Sequence, residues 1–105
     1  MQYTTTESIA GVEITTSLGV VIGNVVQSKH VGRDIMASLK GIVGGELKGY
    51  TEMLTDARTI AIERMLAEAR DLGADAVVGV RFTTSSITEG ASEVMAFGTA
   101  VNLLK

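Results

Sequence analysis

Few residues in this 105-residue chain could do chemistry: one histidine, no cysteine, and 9 basic and 12 acidic side chains. Soft-metal centres are built from thiolates and imidazoles at short spacing. His30 is the single imidazole, so a metal there must find its other ligands elsewhere. Unless copies of the chain share it, His30 is a half-exposed residue at a helix start. The 5 methionines offer thioethers to a soft ion. Met36, Met53, Met65 and Met95, however, fall on apolar faces, where methionine serves as core filler. The carboxylates lack calcium-loop spacing.

Nucleophilic catalysis is equally thinly supplied. No nucleophile elbow is present, and one histidine without a thiol gives little from which to build a catalytic dyad. These residues favour a protein that is not an enzyme without deciding the matter. Arg33, Asp34, Arg58, Arg81 and Glu93 are the polar residues to follow as ligand contacts. Arg33 and Asp34 open a predicted first helix. Arg81 and Glu93 fall on facing strands of a predicted hairpin and would meet across the ladder if the register allowed it. Each has a plain structural reading, as an ion pair at a sheet edge, a helix end or a subunit contact. Arginines at an interface also bind anionic ligands bidentately.

The segment GIVGGELKGYTEML, residues 41–54, holds four glycines ahead of a helical pattern. Gly44 and Gly49 match the first half of a phosphate-binding GxxxxGK loop. Tyr50 then stands where the lysine belongs, with Thr51 at the hydroxyl position, and a helix rather than a strand precedes the segment. A connector between two helices explains the glycines.

Those helices are two of six predicted elements. Residues 3–26 read as two strands, with TTTES as a β-branched opening and bends or bulges at Gly19 and Gly23. Ser28 is the expected N-cap of a short helix carrying Val31, Ile35, Met36, Leu39, Ile42 and Val43 at helical spacing. Gly44 and Gly45 close it. A long helix follows over about 48–72, with Tyr50, Met53, Leu54, Ala57, Ile60, Ala61, Met65 and Leu72 on one broad face. Ile62, Leu66 and Ala69 form a second stripe, Arg64 and Glu68 make an i,i+4 pair, and Gly73 stops the helix. Two strands, ADAVVGVRFTTSSI and ASEVMAFGTAVNLL, turn at Gly90. The order is β-β-α-α-β-β: an α+β domain with a mainly antiparallel, curved sheet on one long and one short helix.

Composition bounds the partners. A length of 105 residues is one domain, 1–105. The net charge of -3, with both signs interspersed, gives no electrostatic footprint for nucleic acid. At 4% aromatics, base-stacking platforms are not expected either. MQYTTTES lacks the pattern of a secretory signal, and no run approaches the ~20 apolar residues of a membrane span. A cytoplasmic protein is the expectation.

The hydrophobic fraction of 46% needs somewhere to go. In the last strand Met95, Phe97, Thr99, Val101 and Leu103 share one face, and Val94, Ala96, Gly98 and Ala100 the other. In the strand before it, Val78, Val80 and Phe82 are expected opposite Val77 and Gly79. Both faces are largely apolar, so neither is suited to water. The short helix could cover the second face within one chain. The second stripe on the long helix also needs a cover, and self-association supplies one.

Several stretches together resemble one family: TTTESIAG, GRDIMASLKGIVGGELKGY, Ala57–Arg58, LGADAVVGVRF from Leu72, and EVMAFGTAV from Glu93. The resemblance, over nearly the whole length, is to the YbjQ-like family of uncharacterised bacterial and archaeal proteins, filed under a heavy-metal-binding label. It implies a fold similar to dodecin subunits and a ring-shaped homopentamer, whereas the residues alone reach only "not a monomer". Three functional classes stay open: an oligomeric binding protein holding a small molecule or metal ion between subunits, an enzyme whose site forms between subunits, and a structural or partner-docking ring.

Overall fold

The computed structural model describes residues 1–28, 48–88 and 90–105. Its frame is a long hairpin. β3 (Ala76–Thr88) and β4 (Ala91–Leu103) pair antiparallel from Ala76 opposite Val101 to Thr88 opposite Ala91, and Gly90 lies in the turn. β2 (Ile14–Ser28) lies antiparallel along the other side of β4, and β1 (Gln2–Tyr3) adds a short parallel strand beside β3. The sheet is therefore mixed, in the order β1-β3-β4-β2.

One helix, α1 (Lys48–Asp71), covers one face of this sheet. Met53, Ala57, Ala61, Met65 and Ala69 recur every four residues and are buried, because side chains at that spacing stack on one side of a helix. Ala57, Ala61, Met65 and Ala69 pack with Val21 and Val25 of β2, Val77 and Val80 of β3, and Val94, Ala96 and Ala100 of β4. Burying a side chain of valine or methionine size contributes about 1.5–3 kcal/mol. The helix ends in a Schellman cap: the Gly73 amide donates to the Arg70 carbonyl at 2.9 Å and the Ala74 amide to the Ala69 carbonyl at 3.0 Å.

Several expectations need correction. The described order is β-β-α-β-β; the predicted short helix and the glycine connector lie at residues 29–47, outside the described residues. Ser28, the expected N-cap, is the last residue of β2 and pairs with Ala91; the helix it was expected to cap lies outside the described residues. TTTES forms bends, and the first strand holds only Gln2 and Tyr3. Leu72, placed on the main helix face, is 47% exposed, because the chain has already turned out of the helix. The second stripe does not need a foreign cover: Leu66 and Ala69 belong to the same core as Met65, and Ile62 packs against it. Glu68 is exposed. Arg64 donates instead across to the Asn24 carbonyl at 2.8 Å, fastening the helix to β2.

Two glycines shape the sheet. Gly23 introduces no bulge; its pairing with Ala96 is regular. Its missing side chain lets the helix lie flat on β2, since a Cβ there would overlap the Ala61 carbonyl oxygen and the Met65 amide. Gly79 has φ 64° and sits in a register shift between Val78 and Arg81. Only glycine adopts that backbone readily, and the extra residue inverts the alternation beyond it. Val80 thus joins Val77 under the helix, while Val78 belongs to a second cluster with Ile9, Ala76 and Val101. The expected grouping of Val78 with Val80 and Phe82 fails for that reason.

Candidate functional site on the open face of the sheet

The face turned away from α1 carries the site. Register puts Val20, Thr99 and Val78 in one row across three strands, Ile22, Phe97 and Arg81 in the next, and Val26, Glu93 and Ser85 further along. Val20 is 64% exposed, Ile22 41% and Val26 53%. Among the described residues, nothing comparable to α1 covers this end of the sheet. The other end is covered by the N-terminal segment, where Ile9 packs on Ala76, Val78 and Val101.

Arg81 stands where these two halves meet. The Gly79 bulge brings it to this face, and its Nη1 donates to the Thr5 carbonyl at 2.7 Å and to the Val80 carbonyl at 2.9 Å. The N-terminal segment is held against the strand by backbone bonds as well: Gly79 donates to the Thr6 carbonyl at 2.8 Å, and Val80 to the Thr4 carbonyl at 3.0 Å. Beside Arg81 lies a depression of about 520 Å³. Its apolar lining is Ile14, Val78 and Val101, and its polar lining is Glu7, Ser17, Thr99 and Arg81.

The other predicted site residues are scattered. Arg81 and Glu93 do not meet: Arg81 pairs with Phe97, and Glu93 with Ser85. They share a face but stand four positions apart along β3, roughly 13 Å at ~3.3 Å per residue. Glu93 instead accepts from Asn24 Nδ2 at 3.2 Å and Ser85 Oγ at 3.4 Å, bracing three strands. Arg58 is exposed on α1, on the opposite layer, with Nη2 donating to Thr55 Oγ1 at 3.2 Å. His30, Arg33 and Asp34 lie outside the described residues. Glu7, Ser17 and Thr99 were missed. Thr99, a hydroxyl in the otherwise apolar row of β4, was the one available signal; Glu7 and Ser17 reach the depression only through the path of the N-terminal segment and the bulged start of β2.

One carboxylate elsewhere has a clear electrostatic role. Asp75 accepts the Leu103 amide on Oδ2 at 2.9 Å, and Lys105 Nζ lies 3.1 Å from Oδ1. The amide bond, with Lys105 second, holds the Asp75 carboxyl below its ordinary value of 3.8. This is the single ion pair among the described residues, so no described neighbour neutralises Arg81 or Glu7 in this way.

Among the described residues the donor set does not suit a soft metal. No group of three His, Asp or Glu side chains comes together among the described residues, and the sequence has no cysteine. Met53 and Met65 are buried, Met65 within the hydrophobic core under α1. No helix among the described residues is long and apolar enough to cross a membrane.

Among the described residues, a four-stranded mixed sheet with one covering helix defines an α+β class, similar to a solved protein of unknown function from Pediococcus pentosaceus, of the DUF74 family. The TM-score is 0.63 at 18% identity, over 99% of this chain and 98% of that one. The chain itself belongs to the YbjQ-like family, whose model, described as "Putative heavy-metal-binding", matches residues 1–104. Relatives named "UPF0145 protein" are 69% identical in Psychromonas ingrahamii and 70% in Colwellia psychrerythraea, each over 100% of both chains. One in Thermotoga maritima is 60% identical, over 100% of this chain and 99% of its own.

Proposed function

We propose that the chain is a homo-oligomeric binding protein, a ring of five copies by family resemblance, that holds a small ligand where the open faces of neighbouring subunits meet. The observation that carries this reading is the exposed apolar row Val20, Ile22 and Val26 beside the half-buried Met95 and Phe97. A patch of this kind on a sheet face is costly in water and favours a protein partner. A second copy is the fitting occupant, because the same chain supplies the matching strand edges. β2 has an outer edge without a described neighbour, and β3 from Arg81 to Thr88 is exposed. Unpaired edges of this length are templates for pairing with a like strand.

The polar groups at the border of that patch give the assembly something to bind with. Native mass spectrometry of freshly purified protein tests the reading: a multiple of the single-chain mass with a retained small molecule is expected. A single-chain species as the main form would overturn it. The heavy-metal description of the family draws no support from the donors described above, so the ligand expected is organic rather than a soft ion.

A further inference from the structure

We propose that the depression beside Arg81 binds a small organic zwitterion, with its carboxylate on Arg81, its ammonium on Glu7 and its apolar body against Ile14. This rests on the binding reading above and names the ligand class. Three observations carry it. First, Arg81 is held in place by the Thr5 and Val80 carbonyls, both bonds leaving from Nη1. A guanidinium fixed this way keeps donors in a planar fork that matches a carboxylate. Second, Arg81 and Glu7 line the same depression without an ion pair between them. Opposite charges set apart across one cavity complement a ligand that carries both signs, whereas a simple anion or cation would meet one of them unfavourably. Third, the remaining lining is divided between the hydroxyls of Ser17 and Thr99 and the aliphatic Ile14, Val78 and Val101.

The space fits the class. A volume of about 520 Å³ lies within the range of small-molecule sites, and an amino-acid-sized ligand enters it with room to spare. Ile14, half-buried, packs against the second core of Val78, only 5% exposed, and Val101, only 2%, so the apolar wall it presents is fixed from behind and does not need to form on binding. That lowers the ordering cost of association.

Isothermal titration with L-leucine tests the proposal. Isocaproate, the same skeleton without the ammonium, and isoamylamine, without the carboxylate, serve as half-ligands. Leucine is expected to bind, each half-ligand at least about tenfold more weakly, the loss of one charge-assisted contact. Arg81→Gln and Glu7→Gln are each expected to weaken leucine binding by a similar factor. Arg81 also ties down the N-terminal segment, so Glu7→Gln, on an exposed side chain, is the variant that separates binding from folding. Absence of leucine binding, isocaproate binding as tightly as leucine, or unchanged leucine affinity in Glu7→Gln would each overturn it. Light scattering on the same samples separates this from the assembly: an intact oligomer that ignores leucine overturns the ligand class alone. Leucine binding by a single chain supports the site and removes the oligomeric reading.

Discussion

Gly23 of β2 and Ala61 of α1 meet backbone against backbone. A methyl group on Gly23 would overlap the Ala61 carbonyl oxygen and the Met65 amide. The obstacle is main chain on both counts, so no rotamer change relieves it, and the helix must lift from the sheet.

Gly23→Ala is therefore expected to lower the unfolding free energy by about 3 kcal/mol, at the upper end of overpacking costs. Urea denaturation measures it. Glu63→Ala, on the exposed side of the same helix, is the control, with a change within ~0.5 kcal/mol. Equal stability of Gly23→Ala and the parent would show that the helix does not seat this closely.

The same contact shows how far the sequence could be read. The long helix was legible because its buried row repeats every four residues, and the hairpin because Gly90 separates two strand-like runs. A glycine interrupting a strand, by contrast, has two meanings, a bulge or a close approach. Gly23 proves to be the second and Gly79 the first. No pattern within β3 tells them apart, because the choice depends on what packs above. Misreading Gly79 put Val80 on the wrong face. Proximity to the turn alone pairs Arg81 with Glu93, although the register sets them four positions apart on the turn side of that bulge. The depression was illegible for another reason. It joins residues 7, 17, 81 and 99, brought together by the packing of the N-terminal segment, the bulged start of β2 and the Gly79 bulge of β3.

Asp75 gives a pH signature. Its carboxyl is held below 3.8, first by the Leu103 amide and then by Lys105. A carboxylate whose folded value is depressed stabilises the fold above the unfolded value, and that contribution is lost as pH falls through the folded one. Asp75→Asn is expected to be less stable than the parent at pH 7, with the gap closing as the pH drops below 3.8. Lys105 is 80% exposed, so Lys105→Ala should change little. Chemical denaturation at a series of pH values measures both, and a gap that stays constant down to pH ~2 contradicts the assignment.

Metal response offers a further check. With no cysteine, one histidine and core-buried Met53 and Met65, neither zinc chloride nor EDTA is expected to move the thermal unfolding midpoint. A zinc-dependent rise of several degrees that disappears in His30→Ala would contradict this and point to a site shared between copies.

The most direct test of the account is the solution mass of the protein by light scattering at micromolar concentration, for the parent chain and for Ile22→Asp. Ile22 lies in the exposed apolar row, so a charge there disrupts the shared face without touching the core under α1. The account predicts an oligomer for the parent, and for Ile22→Asp a single-chain mass with an unchanged circular dichroism spectrum. A parent that is already a single chain, or an Ile22→Asp variant with the parent's mass, would contradict it.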